Sequence, residues 1–424
     1  MARARCCPDF TRTALLRRGV AQAGRGLPAI EPGMPLPAGT GLDRRSFLAR
    51  GLGLTLAVYG GGSLLPRALE DGIEAAAAAG SGERVLVSVY LDGGADSLSM
   101  LYPAEDPLYR KLRPRLALPA DGTPFAEDER LRWHPSLAAL ATLHAEGKVS
   151  VAPGIGYADP NQSHFTSRHY WEVGETSVRT RTGWLGRYLD AVGRPDNPLQ
   201  GVSLDTRLQP ALATAKLPTA AIDGPDRYDF WTRGVWGEVA ARLLDGIRDL
   251  GALPDDGDPG LAAASAAARQ SHLLHRQLLP FTPADGSKER PTPVAYPASE
   301  DRFPSRLAGL AAMLSAGLPV RVAALRAPGM YDTHDSQPAA LAEALKLTAD
   351  SLLAFQRDLE ARGLADRVLV HVWSEFGRRA AENGSNGTDH GAAGIGFLLG
   401  RRAAGRLIGE FPGLERLDER GNLR

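Results

Sequence analysis

The stretch RVLVHVWSEFGRRAAENGSNGTDHG, Arg367 to Gly391, decides how the chain is read. Its first seven residues are β-branched or apolar almost throughout, the pattern of a strand buried on both faces. Glu375 therefore falls at the carboxyl end of that strand, where ligand sites of open α/β sheets lie. The remainder is a glycine- and asparagine-rich loop that carries Asp389 and His390 between Gly387 and Gly391, and glycine lets a backbone approach a ligand closely.

Two other segments share this design, and a third supplies a further strand. Val85 to Leu91 in "RVLVSVYLDGGADSLSMLYP" reads as a buried strand ending in Asp92-Gly-Gly. "GKVSVAPGIG", Gly147 to Gly156, is a second strand, reached through an apolar helical stretch with Leu137, Leu140 and Leu143. "PVRVAALRAPGMYDTHDSQ" gives a strand at Val320 to Leu325 and then a loop with Asp332 and His334. Ala/Leu-rich segments at Gly260 to Leu279, Arg306 to Ala316 and Ala339 to Arg362 read as helices between them. Strands alternating with helices of this length predict an α/β fold, a mostly parallel sheet with helices on both faces. The Gly/Pro/Asp-rich patches at Gly251 to Gly260 and Pro280 to Pro304 read as insertions into one domain.

With 43% apolar residues in 424 the chain has material for a large core. Forty-nine basic residues balance 49 acidic ones, so overall charge offers nothing to a nucleic acid. Asp43-Arg-Arg-Ser-Phe-Leu48 precedes an uncharged run from Gly51 to Pro66 that is short for a membrane span and contains five glycines. This looks like a twin-arginine export signal, with small residues for cleavage near Ala75 to Ala79. The expected organisation is a patternless extension at 1–42 with translation starting at Met34, a signal at 43–80, and an exported domain at 81–424 in which a C-terminal strand and helix are missing. The two cysteines, Cys6 and Cys7, precede the signal, so metal ligands in the exported chain are O and N donors.

The histidines divide by context. His144, His272 and His275 lie in helical stretches, structural or surface positions, and His371 lies inside a strand as a packed or hydrogen-bonded core residue; His134 precedes Pro135 at a helix start, where capping accounts for it. His164, His169, His334 and His390 stand beside other reactive residues. Asp332-Thr-His334 places a carboxylate and an imidazole on one face of extended backbone, a donor pair that Zn²⁺ or Mn²⁺ accepts. "DPNQSHFTSRHYWE" opens a helix near Ser163, either as its cap or as a nucleophile at a helix N-terminus that favours anions. There is no GxSxG elbow, P-loop or dinucleotide fingerprint.

Taken in order, the paired arginines, "VYLDGGADSLSMLYP", "NQSHFTSRHYWE", "GMYDTHDSQ" and "WSEFGR" with "GTDHG" closely resemble a family of exported bacterial proteins known as domain of unknown function 1501, from about Arg44 to the end. That family is similar to a distant branch of the alkaline phosphatase superfamily, with sulfatases and phosphopentomutase as relatives. The resemblance implies an alkaline phosphatase-like core and a divalent metal (Zn²⁺, Mn²⁺, Mg²⁺ or Ca²⁺) held by Asp92, Asp332, His334, Glu375, Asp389 and His390. It implies Ser163 as nucleophile, with His164 or Arg168 on the departing or equatorial oxygens. "SEFG" stands where relatives show Ser-Asp-His-Gly, so Phe376 replaces a histidine ligand, which leaves one metal or a pair reshaped around Asp389 or Asp96. Without cysteine in the exported chain, a cysteine-derived formylglycine is excluded. The expected function is an extracytoplasmic (periplasmic or secreted) metal-dependent hydrolase or transferase for phosphate or sulfate esters. Its expected partners are an anionic ester and the twin-arginine export machinery, with no nucleic acid and no transmembrane segment in the mature chain. The alternative is an exported binding or assembly protein that keeps the scaffold without turnover.

Overall fold

The computed structural model describes residues 84–228, 237–252, 257–281 and 292–423, so the expected export signal lies outside the described residues. The first half runs β1 (Val85–Tyr90), α1 (Ser97–Met100), β2 (Leu101–Tyr102), α2 (Pro107–Leu112), β3 (Arg132–Trp133), α3 (Ala138–Ala145), β4 (Val149–Ile155), α4 (His164–Val173), α5 (Trp184–Val192), β5 (Gly201–Ser203) and β6 (Ala220–Ala221). The second half runs α6 (Gly237–Gly251), α7 (Pro259–Leu278), α8 (Phe303–Ser315), β7 (Val322–Arg326), α9 (Gln337–Ala361), β8 (Val368–Trp373), β9 (Arg378–Glu382), β10 (Thr388–His390) and β11 (Gly394–Leu399).

Seven strands form the main sheet in the order β4-β11-β8-β1-β7-β5-β6. The pairs β8-β1, β1-β7, β7-β5 and β5-β6 are parallel. β11 is antiparallel to both β8 and β4, so β4 runs with the others and β11 alone runs against them. Side chains alternate between two covered faces, which explains why the central strands are apolar apart from Ser88, His371 and the terminal Arg326. Val85, Val87 and Val89 of β1 and Ala323 and Leu325 of β7 join one core with residues of α3, α7, α8 and α9. Val322 and Ala324 face the other way, into a cluster with Leu185 and Leu189 of α5 and the half-buried Leu86. The sheet is thus α/β, mostly parallel and covered by helices on both faces.

Two features differ from the sequence reading. The segment taken for a loop after Glu375 is a hairpin, with β9 antiparallel to β10 and His390 opposite Arg378. Its turn is closed by Asn383, whose side-chain oxygen accepts from the N–H groups of Ser385 and Gly387, local bonding that a glycine-rich sequence does not advertise. β8 leaves the sheet at its carboxyl edge and the β9-β10 hairpin stays at that edge, so β11, which follows the hairpin directly, re-enters from there and runs back antiparallel.

His134 does cap its helix start. Its Nδ1 accepts the Ser136 N–H at 3.0 Å, and the residue is 7% exposed. Burial pushes the imidazole down to about 4, opposed by Asp96. A base whose folded pKa lies below its unfolded value binds its proton more readily when unfolded, so its stabilisation is present above about pH 6.5 and is lost as pH falls toward 4. His134→Asn keeps an acceptor at the cap and removes the titration. Urea unfolding at pH 7.5 and 4.5 is expected to show wild type losing about 2–3 kcal/mol more than the variant over that interval.

Candidate metal centre

Because β1, β4, β7 and β8 are parallel, their carboxyl ends share one edge, and that edge collects the chemically active residues. Asp92 follows β1, His164 begins α4 after β4, Asp332 and His334 follow β7, Glu375 follows β8, and Asp389 and His390 lie in β10. From this set His164, Asp332, His334 and His390 converge, each offering one ligand atom, all within 4.8 Å of one another. His334 Nε2 is 2.8 Å from His390 Nε2 and 3.1 Å from Asp332 Oδ1, which lies 3.4 Å from His390 Nε2. His164 Nε2 completes the group at 3.4 Å from Asp332 Oδ2.

Hydrogen bonds on the far side of the rings decide what those nitrogens do. His164 Nδ1 lies 2.7 Å from Glu375 Oε1, and His390 Nδ1 lies 2.9 Å from the Gln162 carbonyl. A carbonyl or an ionised carboxylate only accepts, so each Nδ1 carries the proton and each Nε2 of the neutral ring presents a lone pair to the cluster. His164 Nε2 is buried and has no hydrogen-bond partner, despite its closeness to Asp332. Ligand atoms about 2.0–2.1 Å from a tetrahedral ion lie about 3.4 Å apart, and these atoms need only small movements to reach that spacing. Three imidazole nitrogens and one carboxylate suit a borderline divalent ion such as Zn²⁺ or Mn²⁺. The residues fit a metal.

Electrostatics points the same way. Burial disfavours charge on His164, yet the neighbouring carboxylates of Asp332 and Glu375 outweigh it and raise the imidazole to about 9. Burial would raise the Asp332 carboxyl, but His164, His334, His390 and Arg378 hold it far below the usual carboxylate range. Glu375, fully buried, is likewise held down, against burial, by His164 and by backbone N–H groups, with Gly93 N donating at 3.1 Å. Burial pushes His390 down, against its bond to Asp332. The carboxylates draw a cation, proton or metal, to His164 Nε2, and metal binding at such a point releases the proton.

Phe376 forms one wall. It is 2% exposed, and its ring centroid is 4.9 Å from that of His164 and 4.8 Å from that of His390. Gly94, at φ +66°, lies under it, and a Cβ there would stand 2.2 Å from the ring. Only glycine fits. Gly387 lies against the other segment that bears a ligand, where a Cβ would come within 2.3 Å of the His334 backbone.

The other residues singled out from sequence lie around this cluster. Asp92 accepts from the Tyr90 hydroxyl and from Arg326, both at 3.0 Å. Glu375 meets the cluster through His164. Asp389 Oδ1 is 3.7 Å from His334 Nδ1 and accepts from Asn383 at 3.3 Å. Asp96 is bound in a buried pair with Arg113. Ser163 is the N-cap residue of α4, half-buried, and its side chain does not cap the helix. Arg168, one turn beyond His164, donates to Glu172 at 2.8 Å and to Gln209 at 3.1 Å and lies over the Tyr90 ring. Sequence reasoning passed over Arg378, which donates to Asp332 Oδ1 at 2.6 Å. An Arg-Arg pair outside a strand reads as surface, and only its place opposite His390 in the hairpin brings it in.

Residues 291–420 match the family described as "Protein of unknown function (DUF1501)". That span holds Asp332, His334, Glu375, Arg378, Asp389 and His390, while Asp92, Ser163, His164 and Arg168 precede it. No curated protein matches. Among solved structures, the PsFucS1 sulfatase from Pseudoalteromonas sp. is similar with a TM-score of 0.34 and 10% identity, over 85% of this chain and 68% of that one. The C-terminal periplasmic domain of EcEptC from Escherichia coli, in complex with Zn, gives 0.31 and 8% over 76% and 75%. Ps i-CgsB in complex with k-i-k-neocarrahexaose gives 0.34 and 11% over 77% and 68%. Likenesses this distant assign no role to any residue here. Among the described residues no helix is long and apolar enough to cross a membrane.

Proposed function

We propose that this protein is an exported metal-dependent hydrolase or transferase of phosphate or sulfate esters, with His164, Asp332, His334 and His390 holding the ion. The observation that carries the metal reading is the convergence of these four donors, with His164 and His390 turned by acceptors at Nδ1 so that Nε2 faces the cluster. A bound divalent ion supplies Lewis acidity and charge neutralisation for an anionic ester.

The chain's own residues do the rest. Ser163 adjoins the ligand His164 at the N-terminus of a ten-residue helix, where backbone N–H groups and the helix dipole favour an anion. Its hydroxyl is the proposed nucleophile, and the helix N-terminus binds the ester's non-bridging oxygens. Glu375 keeps His164 in the Nδ1-protonated form, and Phe376 excludes water from the imidazole faces. Arg168, already paired with Glu172, lends positive charge beside Asp92 and Tyr90. The paired arginines at Arg44 and Arg45 and the uncharged run after them support export.

Hydrolysis of aryl phosphate, phosphodiester and sulfate esters, with added Zn²⁺ or Mn²⁺, is the direct test. Ser163→Ala, folded and still binding metal, is expected to lose turnover by a factor on the order of 10³ or more. Undiminished turnover would remove Ser163 from the chemistry. The packing of Phe376 against two of the imidazoles favours a second reading, a non-catalytic exported scaffold with a structural ion. It predicts a tightly bound metal and no turnover of any ester class.

A further inference from the structure

Arg378 opens β9 with a side chain fully out of water, yet every N–H of its guanidinium meets an acceptor. Nε donates to the Gly94 carbonyl at 2.7 Å. One terminal nitrogen donates to the Thr388 carbonyl at 2.9 Å and stands 3.4 Å from His334 Nε2. The other donates to Asp332 Oδ1 at 2.6 Å, to the Gly93 carbonyl, and to the Tyr331 carbonyl at 3.3 Å. A buried cation persists only when paired and fully hydrogen-bonded, and a planar fork is the one side chain that serves so many acceptors in fixed directions.

We propose that Arg378 is the positioning residue that makes this a single-ion centre: it fixes Asp332 as a ligand and fills, with its own charge, the place a second cation would need. The inference rests on the metal reading above. Asp332 Oδ1 is shared with the guanidinium, which fixes the plane of the carboxylate and turns Oδ2 toward His164 Nε2. The same fork joins the loop after β1, the loop after β7 and strand β10, so two of the three segments it ties carry or adjoin ligands. A second ion beside it would meet like charge at short range. Three of the carboxylates nearby are also committed, while Asp389, its side chain 44% exposed, stands 3.7 Å from His334 Nδ1, the nitrogen turned away from His390. Glu375 is taken by His164, Gly93 N–H and the Ser374 hydroxyl, Asp92 by Tyr90 and Arg326, and Asp96 by Arg113. Phe376 occupies the flank between His164 and His390.

The test is titration of the chelator-stripped full-length protein with Zn²⁺ and with Co²⁺, followed by calorimetry, native mass and the visible Co²⁺ absorption. Wild type is expected to bind one equivalent, with no second equivalent at excess metal. Arg378→Lys keeps the charge and loses the fork. With its near-ultraviolet circular dichroism unchanged, it is expected to bind the ion about 10–100-fold more weakly and to shift the Co²⁺ band, as Asp332 changes its mode of ligation. Two equivalents in wild type would overturn the single-ion assignment and leave the metal reading standing. A folded Arg378→Lys with wild-type affinity and Co²⁺ spectrum would overturn the positioning role. No binding by wild type would sink the metal reading itself, and this inference with it.

Discussion

Asp332→Ala is expected to lower metal affinity by more than about 100-fold and to abolish ester turnover, because substitutions of residues that merely orient ligands already cost about 10–100-fold. Asp332 is the only carboxylate in the convergent set, and its two oxygens divide the site between them, Oδ1 toward His334, His390 and Arg378 and Oδ2 toward His164. Alanine removes the ligand and also leaves the Arg378 guanidinium without its anion, so stability falls as well. Asp332→Asn separates the two effects. Its amide oxygen still accepts from Arg378, so the thermal midpoint stays near wild type, while the lost charge and the weaker donor still cost the metal. Calorimetric titration with Zn²⁺, beside thermal unfolding of the metal-free proteins, reads both. Wild-type affinity in the asparagine variant would mean that the three imidazoles alone hold the ion.

Much of this edge was legible in the sequence because its signals are local. A β-branched run that stops at a carboxylate and glycines announces a strand end, and Asp92, Asp332 with His334, and Glu375 were found that way. Convergence is not local. His334 and His390 meet at 2.8 Å from positions 56 residues apart, through strand order and hairpin register. Asp92 shows the reverse case. Its partners are Tyr90, the last residue of the strand it follows, and Arg326, which is paired with Tyr90 on the neighbouring strand. Strand-end chemistry names the residue and leaves its partner to the pairing. Burial of charge is the least legible property of all, since arginine and aspartate are normally solvated and only tertiary contacts reveal the exceptions.

Asp96→Ala is expected to cost about 3–5 kcal/mol of folding stability, the range for removing one partner of a buried ion pair. Asp96 and Arg113 have no exposed side-chain surface, and their two bonds measure 2.6 and 2.8 Å. Burial would raise the Asp96 carboxyl, and the Arg113 charge, with bonds from Arg113, Ser99 and Gln337, holds it down instead. The consequence reaches the metal centre through Gln337. Its Nε2 donates to Asp96 at 2.6 Å, while its Oε1 accepts from the Thr333 hydroxyl at 2.9 Å and the Thr388 hydroxyl at 2.7 Å. Thr333 separates Asp332 from His334, and Thr388 precedes Asp389 and His390. Losing Asp96 therefore releases both ligand-bearing segments from one anchor. The variant, assayed where it is still folded, is expected to bind Zn²⁺ about tenfold more weakly, as outer-shell substitutions do. Replacing Asp96 by leucine and Arg113 by methionine together is expected to recover most of the stability, because an apolar pair leaves no orphaned charge, yet not the affinity, because Gln337 loses its carboxylate acceptor and keeps only the longer bond to the Ser99 hydroxyl, 3.3 Å. Recovery of both in the double variant would show that the network serves the fold alone.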